Sequence, residues 1–207
     1  MSAECCRLPQ PDPHRNHAGY KTVLWAVLSI NAGMFLIELA MGIAAGSVSL
    51  QADALDFLGD AANYGISLSV AGLALYRRAR AAMVKGISMG LFGVWVVSRA
   101  LWHLAHGTVP EASTMWLVGF AALLANALTF ALLWAYRSGD SNMRSVWLCS
   151  RNDVIGNCAV LLAALGVLGT SQGWPDVVVA AIMGVLAVQG AWVVSKTAYR
   201  ELAGGGT

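Results

Sequence analysis

The chain is poor in charge. Asp, Glu, Lys and Arg make up 12% of its 207 residues, about half of what a soluble domain carries. An ordinary soluble surface cannot be built from so few, and a chain that is 57% hydrophobic is not a disordered one. Neither sign of charge dominates. The net charge is +2, too weak for the basic face of a nucleic-acid binder. Cysteine is scarce: four residues are too few for a disulfide scaffold. No Gly-rich phosphate loop is present, so nothing points to ATP as a driving force. No His-Glu-x-x-His is present either, which argues against an intramembrane metalloprotease and, with it, against an enzyme. What remains is an all-α integral membrane protein.

Long apolar windows are abundant. A membrane helix needs about 20 mostly apolar residues, and six windows qualify. They run from about Lys21 to Ala44, from after Gly46-Ser47 to before Arg77-Arg78-Ala79-Arg80, and from about Ala82 to Ala105. The others run from about Thr114 to Tyr136, from about Ser145 to Gly169, and from Asp176 to about Ser195. The connections are short, so neighbouring helices are expected to run antiparallel. The first window is too long for a signal peptide and follows a polar stretch. Residues 1–20 contain Pro9, Pro11 and Pro13 and read as a flexible cytoplasmic arm. Residues 21–198 read as the membrane domain and 199–207 as a short cytoplasmic tail, of which 201–207, ending Ala-Gly-Gly-Gly-Thr, is expected to be disordered.

Basic residues orient the bundle. With both ends inside, every Lys and Arg except Arg99 falls at a cytoplasmic helix end. The opposite links (Ala45-Gly46, His106 to Ser113, Thr170 to Pro175) hold none. This pattern supports an even helix count and two cytoplasmic termini.

Carboxylates stand where lipid should exclude them. An ionisable group inside a membrane costs roughly 2.5–3.5 kcal/mol, which makes it a functional candidate by default. The second window contains Gln51, Asp53, Asp56, Asp60 and Asn63. Asp56 and Asp60 share one helix face, about 6 Å apart along the axis. The fifth window offers a second i, i+4 pair, Cys149 and Asp153, followed by Asn157. Two such pairs on facing helices can set three oxygens and one sulfur around a point, a set that suits zinc or cadmium. Magnesium prefers six oxygens. Metal requires deprotonated ligands, so protons compete for the same atoms.

The stretch Gly46-Ser-Val-Ser-Leu-Gln-Ala-Asp53-Ala-Leu-Asp56-Phe-Leu-Gly-Asp60 resembles the second transmembrane helix of the cation diffusion facilitator family. Cys149-x-x-x-Asp153-Val-Ile-Gly-Asn157 is similar to that family's fifth helix. The resemblance covers roughly residues 20–200. It implies a six-transmembrane-helix bundle and a secondary transporter that exports divalent metal, zinc or cadmium and also cobalt, in exchange for protons. It further implies a homodimer in a bacterial inner membrane. The transport site carried over by position is Asp56, Asp60, Cys149 and Asp153, with Asp53 as a structural or gating partner. No prosthetic group is implied; the transported Zn2+ or Cd2+ is the bound species. Two departures stand out. The soluble cytoplasmic domain that commonly follows the sixth helix is expected to be absent, so dimer contacts would lie in the membrane. Cys149 also replaces the usual His or Asp. The alternative reading is an uncoupled metal channel or a metal-binding accessory subunit.

Other polar residues have plainer roles. Asn31 and Glu38 share a face of the first helix and are expected to pair with Arg99 or another helix, with proton passage as a second role for Glu38. Asn63, Asn126 and Asn157 read as interhelical hydrogen-bond partners. Gly86, Gly90 and Gly93, like Gly42 and Gly46, form small-residue seams. His103 and His106, near Glu111, are expected to be interfacial, with a metal exit station as the alternative. Cys5, Cys6, His14 and His17 on the arm are candidates for metal capture. Trp25, Trp102, Trp116, Trp147 and Trp174 form an aromatic belt.

Overall fold

A computed structural model describes residues 18–69, 75–134 and 141–204. The described residues form six helices and no strand: α1 (Ala18–Ala44), α2 (Val48–Ser69), α3 (Leu75–His106), α4 (Ala112–Trp134), α5 (Ser141–Thr170) and α6 (Trp174–Gly204). Five of them are long and apolar enough to cross a membrane; α2, with its three aspartates, is the exception.

The packing explains that exception. Val48, Ala52 and Leu55 of α2 pack against Val96 and Ala100 of α3 and Val177, Ala180 and Ala187 of α6. Leu50 packs with Met115 and Val118 of α4 and Val160 and Ala163 of α5. Phe57 meets Met34 of α1 and Ala122 of α4. Helix α2 therefore packs against the other five, and its buried polar side chains, Ser49, Gln51, Asp53 and Asp60, meet protein. The outer helices reverse the soluble pattern. Leu91, Leu117, Leu162 and Leu168 are all exposed, as expected of residues facing acyl chains.

The α1–α2, α3–α4 and α5–α6 turns are short, and each contains one residue in the left-handed region: Gly46 (φ 67°), Gly107 (φ 62°) and Ser171 (φ 53°). In that conformation the chain reverses at once, and the last helical carbonyls find donors. Ser47 N donates to Gly42 O (2.9 Å) and Ser171 N to Val167 O (2.8 Å).

Helices α3 and α6 mesh through bare backbone. A Cβ on Gly93 would stand 2.9 Å from Val188 Cγ2, one on Gly184 would stand 2.9 Å from Val97 Cγ2, and one on Gly86 would collide with Ser195. The glycine seam of the third helix is thus a packing seam, and α6 is its partner.

Two expectations need correction. The arginine cluster at 77–80 lies inside the first turns of α3, because Leu-Tyr-Arg-Arg-Ala contains no helix breaker, and the second window overran its helix: α2 ends at Ser69, and Leu75 and Tyr76 already belong to α3. Helix α6 continues to Gly204, since Tyr199-Arg-Glu-Leu-Ala203 consists largely of good helix formers; the disordered tail expected from 201 is helical as far as that. Of the two partners expected for Glu38, Arg99 or another helix, the described residues show the second: Glu38 faces Asp53 of α2, while the Arg99 guanidinium lies 3.1 Å from His103 Nε2 on its own helix.

Candidate metal site

The site forms where α2 and α5 cross. The α2 face next to the stripe that packs on α3 and α6 carries Asp53, Asp56 and Asp60, and α5 answers with Asp153, Gly156 and Asn157. Asp60 and Asp153 are buried, 7% and 8% exposed, and their carboxyls lie within hydrogen-bonding reach of each other. Two carboxylates at that separation repel strongly in a low-dielectric interior unless a proton or a cation lies between them. Tyr64, one turn further along α2, donates its hydroxyl to Asp60 Oδ2 at 3.1 Å. Asp153 Oδ2 is buried and has no donor, so it remains available as a ligand atom. The Lys85 ammonium of α3 lies near Asp60 and donates to Asn63 Oδ1.

Asp56 is half-buried. It lies beside Gly156, where a Cβ would come within 3.8 Å of Asp56 Oδ2 and 4.0 Å of Asp53 Oδ1. Gly156 thus marks where α5 comes closest to the acidic face of α2, at ordinary contact distance for a Cβ. Asp53 is fixed separately. Asn157 Nδ2 donates to Asp53 Oδ2 at 3.0 Å, and Asn126 Nδ2 of α4 donates to Asn157 Oδ1 at 2.8 Å. The Glu38 carboxyl reaches Asp53 from α1, fully buried and with no donor on either oxygen.

The structure therefore brings Asp60 and Asp153 together and sets Asp56 one turn away. Cys149 lies on α5 one turn before Asp153, but its side chain falls outside the described residues, as do Cys5, Cys6, His14 and His17. Among the described residues no three His, Cys, Asp or Glu side chains gather tightly enough to hold a metal. The asparagines act as expected: Asn126 and Asn157 bridge helices. The outer histidines do not converge with Glu111. His103 is buried beside Arg99, and His106 stacks on Trp102 at 3.7 Å. Glu111 instead accepts from Ser113 and Thr114 at the start of α4.

Sequence reasoning missed Tyr64, Gly156 and above all Asp176. The last is fully buried and accepts from Ser47 Oγ (2.7 Å), Val48 N (2.8 Å) and Ser49 N (3.0 Å). A sequence signal did exist, since Asp176 is an acid next to a link that holds no Lys or Arg to pair with it.

Comparison with known proteins bears on this geometry. Residues 24–203 match the family model of the cation efflux transmembrane domain. The chain is 26% identical over 205 residues to the zinc transporter ZitB of Escherichia coli strain K12, covering 92% of this chain and 64% of that protein. It is 24% identical over 208 residues to a cadmium, cobalt and zinc/H(+)-K(+) antiporter of Bacillus velezensis, covering 91% and 66%. It is 22% identical over 201 residues to the metal cation efflux system protein CzcD of Cupriavidus metallidurans, covering 91% and 64%. The chain thus spans about two thirds of the length of these relatives.

Proposed function

Because the chain belongs to the cation efflux transmembrane domain family, we propose that it is a transporter and not an enzyme, exporting divalent transition metal by proton antiport. The observation that carries the reading is the meeting of Asp60 and Asp153 across α2 and α5, buried in a membrane domain, with Asp56 a turn away. Metal is held by Asp56, Asp60, Cys149 and Asp153. Three carboxylates and a thiolate favour zinc and cadmium, with cobalt as a further substrate. Protons and metal compete for those ligand atoms. A site open to each side in turn lets inward protons drive metal outward. The protein acts as a homodimer through membrane contacts, in a bacterial inner membrane with both termini cytoplasmic, and needs no prosthetic group.

The test is metal flux into proteoliposomes with and without an imposed pH gradient, comparing zinc, cadmium, cobalt and manganese. Zinc or cadmium flux stimulated by the gradient, and abolished in Asp60→Asn and Asp153→Asn with normal insertion, is the expected result. Normal flux in either variant overturns the site. Gradient-independent flux identifies a channel, and binding without flux an accessory subunit.

A further inference from the structure

Helix α2 begins at Val48, and the first backbone N–H groups of any helix have no partner within it. Ser47 supplies the ordinary remedy, its Oγ accepting from Leu50 N at 3.2 Å. The remaining donors are met from another helix. Asp176, in the first turn of α6, accepts from Val48 N, Ser49 N and the Ser47 hydroxyl, all three within 3.0 Å. Its negative charge also sits at the positive end of the α2 dipole. From that point the Val48, Ala52 and Leu55 stripe descends along Val177 and Ala180 of the same α6. Asp56 and Asp60 lie on the neighbouring stripe, about 12 and 18 Å further along the axis.

We infer that Asp176 is a positioning residue for transport: held on α6, it fixes the height and rotation of α2 and so aims Asp56 and Asp60 at α5. A helix turns by about 100° per residue. A slip of one residue at the start of α2 swings both carboxylates off the face that meets Asp153 and Gly156. The reference frame is stiff, because α6 is interlocked with α3 through Gly93 and Gly184. Apolar packing shares in setting that register, through Leu50 and Phe57 among α1, α4 and α5 and through the Val48, Ala52 and Leu55 stripe beside Val177, Ala180 and Met183 of α6. The directional bonds to Asp176 add a polar fix at the very start of α2.

This inference rests on the transport reading above, and its test separates the two. Zinc flux, melting temperature and folded yield are measured for the wild type, Asp60→Asn, Asp176→Asn, Asp176→Ala and the double variant Ser47→Asp/Asp176→Ala. The double variant returns a carboxylate to the start of α2 but places it on α2 itself, so the cap is restored and the tie to α6 is not. The expected result is a melting temperature that recovers in the double variant while flux per folded protein stays at least about tenfold below wild type. Flux that recovers along with stability shows that Asp176 only caps a helix, and overturns the inference. If the double variant recovers neither, Asp176→Asn decides. It keeps an acceptor for Ser47 and Ser49 and loses the one for Val48. Flux lost at wild-type melting temperature upholds the positioning role; flux and stability falling together overturn it. Absence of flux in the wild type, or its survival in Asp60→Asn, sinks the transport reading instead.

Discussion

Tyr64 is the residue whose removal tests the site most gently. Its hydroxyl orients Asp60 from within a pocket of Leu24, Val27 and Leu133. Tyr64→Phe keeps that packing and leaves Asp60 without the donor. Partners that orient a metal ligand are worth roughly tenfold or more in affinity. The zinc concentration giving half-maximal flux is therefore expected to rise about tenfold while the melting temperature barely moves; an unchanged half-maximal concentration counts against Asp60 as a ligand. Asn157 is expected to behave differently. Replacing it with Ala leaves Asp53 and Asn126 buried with lost partners, at a cost of about 1–3 kcal/mol, read as a lower melting temperature. At this scale the sequence disclosed the charges and concealed their companions. Asp56, Asp60 and Asp153 stand out because lipid forbids them. Tyr64 and Gly156 look like ordinary membrane-helix residues until the facing helix is in place. Asp176 resembles a routine helix start, because its three donors lie more than 120 residues away.

The helices themselves were more legible. Six apolar windows became six helices, and the α1–α2, α3–α4 and α5–α6 turns fall where glycine and the lack of charge placed them. The misjudged boundaries were the end of the second window, which ran past α2 into α3, and the charged ends of α3 and α6, where charge was read as the end of a helix although both helices continue through it. The turns carry a prediction of their own. Gly173, just before α6, sits against the turn between α3 and α4, and a Cβ there would collide with the Thr108 backbone. That turn is in turn tied to the first one, Glu111 N donating to Ala45 O at 3.0 Å. Gly173→Ala is therefore expected to destabilise the protein by about 1–3 kcal/mol, as overpacking does. Gly169→Ala, a few residues earlier and with open space around it, should be neutral or gain up to about 1 kcal/mol. Thermal unfolding of the two variants side by side checks the contrast. Equal melting temperatures would mean that the outer turns are not interlocked.

For the whole molecule, the positive-inside pattern predicts which ends a reagent can reach. In intact cells an impermeant maleimide should label Val109→Cys, whose side chain is exposed in the α3–α4 turn, and should label Arg200→Cys only after permeabilisation. The reverse result would invert the topology. The central placement of α2 has a further consequence, for biosynthesis. Three aspartates cost about 8–10 kcal/mol at the centre of a lone inserting helix, against about 3 kcal/mol gained from its Leu, Ile, Val and Phe. Released by itself, α2 would go back to water. It must leave the insertion machinery in the company of α1 or α3, so α2 expressed without either neighbour should stay outside the bilayer, and its three aspartates should enter the membrane only as part of a helix bundle.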